Sequence, residues 1–167
     1  MSISNQGVSK NHRYQIIPRT LIFITDGARV LLLKGAPDKR LWANCYNGVG
    51  GHVERGEDVL SAARRELREE TGLVCDPLRL CGTIVIDTDE AVGVGIYVFR
   101  GEYQGGKLVS SPEGTLEWIP LADLADLPLV EDLNVLLPRV LQMKPGEAPF
   151  AALYAYDSQD KLQISFG

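Results

Sequence analysis

Apolar positions along the chain recur with two periods, and each change of period marks a new element. The runs "RTLIFIT" (residues 19–25) and "ARVLLLKG" (28–35) are rich in strand formers and flank the turn dipeptide Asp26-Gly27. They predict strand, turn, strand. A segment crowded with turn formers follows, "APDKRLWANCYNGVGGHVERGE". From Asp58 to Thr71 the spacing becomes helical, and Gly72 stands where a C-terminal cap is expected. "LRLCGTIVI" (78–86) and "AVGVGIYVFRGEY" (91–103) read as two strands joined by the acidic turn "DTDE". "GGKL" (105–108) reads as a further turn and "GTLEWIPL" (114–121) as the end of a strand. "EDLNVLLPRVL" (131–141) is helical in spacing, with Pro138 expected to kink or shorten it. "FAALYAYD" and "KLQISF" alternate around "SQD", as a closing hairpin does. This order predicts a mixed α/β (α+β) fold in a single domain over residues 14–167, with residues 1–13 a loose polar tail.

The helical segment also carries the candidate chemistry. With about 100° per residue, Val59, Ala63, Leu67 and Leu60 share one arc, while Arg64, Arg68, Ser61 and Arg65 share the solvent arc. Glu66 and Glu70 straddle Val59, and Glu69 falls beside Ala62. A solvated face accounts for Arg64 and Arg68 but not for the glutamates. Glu66 and Glu70 are like charges at i,i+4, and Glu69 and Glu70 sit at the negative end of the helix dipole. Carboxylates clustered against their own electrostatics make sense around a hard divalent cation, Mg²⁺ or Mn²⁺.

Charge and cysteine content narrow the classes. The 167 residues carry a formal net charge of -5, so nothing global attracts a nucleic acid polymer or an acidic membrane surface. An anionic ligand must then be held by a metal ion or a few placed cations. No apolar run reaches the roughly 18 residues of a membrane span, and the polar start "MSISNQGVSKNHR" lacks the apolar region of a signal peptide. Cys45, Cys75 and Cys81 form no CxxC pair and read as reduced thiols of a soluble, cytoplasmic protein. His12 and His52 are too few and too far apart for a histidine metal site.

The segment from Gly51 to Leu73, "GHVERGEDVLSAARRELREETGL", resembles the Nudix box. Gly51, Glu57, Arg65, Glu66, Leu67, Glu69, Glu70, Gly72 and Leu73 fill its fixed positions. The element order on both sides is similar to the Nudix fold, a mixed β-sheet sandwiched between helices. The resemblance implies a hydrolase that cleaves a nucleoside diphosphate linked to another moiety, by water attack at phosphorus with Mg²⁺ or Mn²⁺. It implies metal ligation by Glu66, Glu69, Glu70 and the Gly50 carbonyl. It also implies a supporting Arg65–Glu57 ion pair and Glu66 as the candidate base, although the base varies within the family. A further acidic ligand on a later loop matches Glu113, in a Pro-Glu-Gly turn, better than Glu117 beside Trp118; Glu113 reads equally as an ordinary turn residue. A homodimer rests on the resemblance alone.

For the substrate, a small-molecule nucleotide, several segments resemble MutT-like enzymes that destroy oxidised purine nucleoside triphosphates such as 8-oxo-dGTP. In "YNGVGGHV" Asn47 occupies the place of a base-reading asparagine, and Asn47-Gly48 is equally a turn dipeptide. Glu131 and Asp132 match base-contacting acids, but Val130 replaces the aromatic expected before them. Charge complementarity with a helix N-terminus explains the two acids as well. Lys34 is placed to meet a phosphate or plain solvent, and Trp42 and Tyr46 to stack on a base or pack. The runner-up readings are hydrolysis of ADP-ribose, nucleotide sugars or dinucleoside polyphosphates, and a non-catalytic Nudix ligand sensor. Thr88 and Asp89 stand where many ADP-ribose-cleaving relatives carry a proline.

Overall fold

The computed structural model describes residues 13–88, 90–109 and 112–167; most of the expected tail, and Asp89 of the acidic turn, lie outside the described residues. In chain order the elements are β1 (Gln15–Asp26), β2 (Arg29–Gly35), β3 (Tyr46–Asn47), α1 (Val59–Thr71), β4 (Arg79–Ile86) and β5 (Val92–Glu102). Then come β6 (Gly114–Pro120), a 3-10 turn (Leu121–Asp126), α2 (Leu133–Gln142), β7 (Phe150–Tyr156) and β8 (Leu162–Phe166). The strands form one mixed sheet in the order β3-β2-β1-β5-β4-β7-β8, with β6 also paired to β2.

The run "LIFIT" lies at the centre because β1 is buried on both faces. Leu21 and Phe23 join a cluster with Leu133, Leu136, Leu137 and Val140 of α2. Ile22 and Ile24 pack on the opposite face with Ala63 and Leu67 of α1. Alternate side chains thus serve two helices, one on each face. β1 begins earlier than its apolar run because Gln15 to Pro18 pair in parallel with Val92 to Gly95 of β5. That pairing is a backbone matter which hydrophobic spacing does not register.

Asp58 caps α1 by accepting from the Leu60 and Ser61 amides at 2.9 and 3.0 Å. Gly72, at φ 75°, ends it with an N–H bond to the Arg68 carbonyl. α2 runs through Pro138 to Gln142. The carbonyl that loses its partner there belongs to Asn134, an exposed residue that water can serve. At the far end Arg79 and Arg100 donate to the Lys144 and Leu141 carbonyls at 2.9 and 2.8 Å, satisfying the terminal acceptors. α2 is thereby tied down by its C-terminus, with its N-terminus at the cavity described next. No helix among the described residues is long and apolar enough to cross a membrane.

Candidate active site

The glycine-rich segment after β3 is where sheet and helix meet. It runs antiparallel along β1: the Thr20 amide donates to the Gly51 carbonyl at 2.8 Å and the Ile22 amide to the Val49 carbonyl at 2.7 Å. Gly50 has φ 148°, and a Cβ there would stand 2.2 Å from the Thr20 carbonyl oxygen. A Cβ on Gly51 would stand 2.5 Å from a carboxylate oxygen of Glu66. Both positions need glycine, the second because the Glu66 carboxylate rests on the bare backbone.

Arg65 organises the acids of α1. Its guanidinium binds both oxygens of Glu57, at 2.6 and 3.2 Å, and reaches Glu66 at 2.8 Å, Glu69 at 3.2 Å and the His52 carbonyl at 3.0 Å. Only a planar fork of donors holds that many acceptors in fixed directions. The hydrogen bonds from Arg65, with the Glu54 amide, keep the Glu57 carboxyl below its ordinary pKa. They also hold the Arg65 guanidinium firmly protonated. Glu70 stands apart from this brace. It is buried and accepts from the Gly50 amide at 3.1 Å. Burial pushes its carboxyl up to about 7, the Gly50 N–H opposes, and Glu113 and Glu66 add to the push. Glu113 pairs with Lys39 at 2.7 Å.

Among the described residues no three His, Cys, Asp or Glu side chains stand together as a ligating cluster. Glu66 and Glu69 lean on Arg65, and Glu113 on Lys39. The donor set nevertheless fits Mg²⁺ or Mn²⁺ in kind. It consists of hard carboxylate oxygens around a buried glutamate whose ionised form is disfavoured by burial and by Glu113 and Glu66, with only the Gly50 N–H and the Lys39 charge against them.

Gly50, Gly51, Glu70 and Glu113 line one end of a cavity of about 450 Å³. Ile86, Val94 and Ile96 contribute apolar wall, and Asn47, Glu131, Asp132, Tyr154 and Tyr156 line it too. Asn47 Oδ1 accepts from the Gly48 amide at 2.8 Å. Asn47 ends the strand β3 with no turn formed at Asn47-Gly48, and it lines the cavity. Lys34 does not line this cavity. It lies over the Tyr46 ring at 5.4 Å and borders a neighbouring hollow together with Glu117, which accepts from the Tyr46 hydroxyl at 2.9 Å. Tyr46 is buried, whereas Trp42 is exposed at the cavity mouth.

Asp132 holds the N-cap position of α2, yet its side chain makes no capping hydrogen bond. It lines the cavity instead, and burial pushes its carboxyl up to about 6. Its own backbone N–H at the helix end, and Tyr154, oppose that push. Sequence reasoning did not single out Arg19, Lys39 or Tyr154, all of which line the cavity. Arg19 Nε and the Tyr154 hydroxyl are buried without a hydrogen-bond partner. For Arg19 the available signal was a cation at the head of a buried apolar strand. For Tyr154 it was the inward phase of "FAALYAYD".

Residues 16–140 match the family model for the NUDIX domain. The chain is 31% identical over 147 residues to the oxidized purine nucleoside triphosphate hydrolase of Mus musculus, covering 86% of this chain and 88% of that one. It is 32% identical over 126 residues to the Danio rerio protein of the same name, covering 75% and 80%. Among solved structures, the MutT protein of Bacillus halodurans superposes with a TM-score of 0.76 at 23% identity, over 90% of this chain and 97% of that one.

Proposed function

Because the chain belongs to the Nudix family, we propose that it is a divalent-metal-dependent pyrophosphohydrolase of nucleoside triphosphates. On this reading it releases the monophosphate and pyrophosphate, and oxidised purine nucleotides such as 8-oxo-dGTP are its candidate substrates. The observation that carries the proposal is the buried Glu70 beside Glu66 on the Gly50–Gly51 backbone, at one end of a cavity whose lining also includes Asn47 and Asp132. The names of the mouse and zebrafish relatives support the substrate class.

Glu66, Glu69, Glu70, Glu113 and the Gly50 carbonyl are the groups that would hold Mg²⁺ or Mn²⁺. The ion supplies positive charge against the diphosphate oxygens. The chain itself supplies orientation. Glu57 fixes Arg65, and Arg65 fixes the directions of Glu66 and Glu69. Glu66 is then placed to orient the attacking water and to take its proton on a carboxylate oxygen. Asn47, Glu131 and Asp132 hold the base. Residues 14–167 act as one domain.

The test is Mg²⁺-dependent hydrolysis of 8-oxo-dGTP, dGTP, ADP-ribose and a nucleotide sugar side by side, with Glu69→Gln/Glu70→Gln as control. Triphosphate turnover to monophosphate and pyrophosphate, lost in the control, is the expected result. Turnover of only ADP-ribose or the sugar overturns the substrate class and keeps the acid cluster.

A further inference from the structure

Two features at the far end of the cavity remain unused by the hydrolytic reading, and they adjoin. The Tyr154 hydroxyl is buried without a hydrogen-bond partner, at a residue only 1% exposed. The Asp132 carboxylate occupies a helix N-cap without capping the helix. Asp132 lies within loose hydrogen-bonding reach of that hydroxyl without a well-formed bond: the contact raises the Tyr154 hydroxyl and lowers the Asp132 carboxyl, against the larger upward push of burial. A buried hydroxyl short of a well-formed hydrogen bond is costly, and a carboxylate that does not cap its own helix forgoes the stabilisation a cap supplies. Ligand binding that tightens the contact into a bond would relieve the first cost and account for the second.

We propose that Tyr154 is a positioning residue for base recognition: its hydroxyl donates to one Asp132 oxygen, leaving the other to accept an N–H from the base. The site then selects purines that present N–H at this edge, as guanine and hypoxanthine do at N1, over adenine, whose N1 presents a lone pair. The apolar wall of Ile86, Val94 and Ile96 takes the ring faces. Glu131 lies beside Asp132 on the same turn, and Tyr156 on β7 faces both acids. Arg19 on β1, His52, Lys39, Glu70 and Glu113 line the same cavity. This inference rests on the triphosphatase reading above, so its experiment reads binding as well as turnover.

Affinities for dGMP and dAMP without metal, and kcat and KM for dGTP, dITP and dATP with Mg²⁺, are measured from pH 5 to 9 in the wild type and in Tyr154→Phe, Asp132→Asn and the double variant. Tyr154→Phe is expected to lower the preference for dGMP over dAMP roughly tenfold, the scale of one hydrogen bond to a charged group. The loss should fall mainly in KM. It should also move the acid limb of the guanine profile to higher pH, because an Asp132 deprived of its donor ionises less readily, and leave the adenine profile in place. In the Asp132→Asn background the same change is expected to add nothing. A folded Tyr154→Phe with unmoved preference and profile overturns the proposal, as does an undiminished effect of Tyr154→Phe without Asp132. Absence of triphosphate turnover in the wild type counts against the hydrolase reading only, since the metal-free affinities still decide the role of Tyr154.

Discussion

Beside the cavity Arg65 makes hydrogen bonds to Glu57, Glu66, Glu69 and the His52 carbonyl; in its lining the buried Tyr154 hydroxyl has only a loose contact with Asp132 and no well-formed bond. The contrast follows from what each end has to do. Stabilising charge at phosphorus needs acceptors already fixed in direction, since their reorganisation during the reaction would add to the barrier. Reading a base needs polar groups whose bonds are completed by the right ligand and left open by the wrong one. The braced end takes its geometry from bonds within the chain, and the open end leaves part of its hydrogen bonding to the ligand.

If the braced end is where chemistry occurs, damage there should remove rate and leave folding intact. Glu70→Gln is expected to have the largest effect, a loss on the order of 10³-fold in kcat, because a metal ligand contributes several kcal/mol of charge stabilisation. The melting temperature should hardly move, since the buried carboxyl, raised to about 7, is already about half protonated near neutrality and the amide keeps its shape. Gly51→Ala comes next. Its Cβ would lie 2.5 Å from a Glu66 oxygen and must displace that carboxylate. A shift of about 1 Å at a reacting group costs about 10²-fold; an unchanged kcat would show that the position of Glu66 is not critical. Arg65→Lys should lose roughly 10- to 100-fold and bind Mn²⁺ more weakly, because a point charge cannot replace the fork. Metal titration by isothermal calorimetry separates that effect from unfolding.

The open end should respond in the opposite sense, through specificity and pH. The Asp132 carboxyl is raised to about 6 in the folded chain, against about 3.9 for an unfolded aspartate. Between these values the folded state holds more proton, so this stabilisation is complete below about pH 4 and is lost as pH rises through about 6. Asp132→Asn removes the dependence. The wild type should therefore lose about 2–4 °C in melting temperature relative to Asp132→Asn over that window, the scale of about 1 kcal/mol for a chain of this size. Parallel melting curves for the two proteins would mean that Asp132 titrates as a solvated side chain.

How much of each end could be read in the sequence depends on how local its geometry is. The helix from Val59 to Thr71, its Asp58 and Gly72 caps and the inward lean of Glu70 all follow from a period of 3.6 residues acting over one short segment. The Arg65 brace joins Glu57 to the same helix, so its contacts are nearly local as well. The strand runs were legible for the same reason, because β1 and β2 carry their own turn between them. The early start of β1 was not, since it depends on pairing with β5 far along the chain. Pro138 did not shorten α2: a rule about the lost N–H could not tell that the residue whose carbonyl is left behind, Asn134, is exposed to water.

The sequence by itself determined the family, the helix that carries Glu66, Glu69 and Glu70, and the sheet-and-helix order, because each depends on residue types at short, fixed spacings. Only the tertiary structure decided that Glu113 meets Lys39, that Lys34 lies beside the cavity instead of within it, and that Asp132 turns from its helix toward Tyr154. Those placements join segments distant along the chain, and their partners are chosen by sheet order and by burial, which no local pattern encodes.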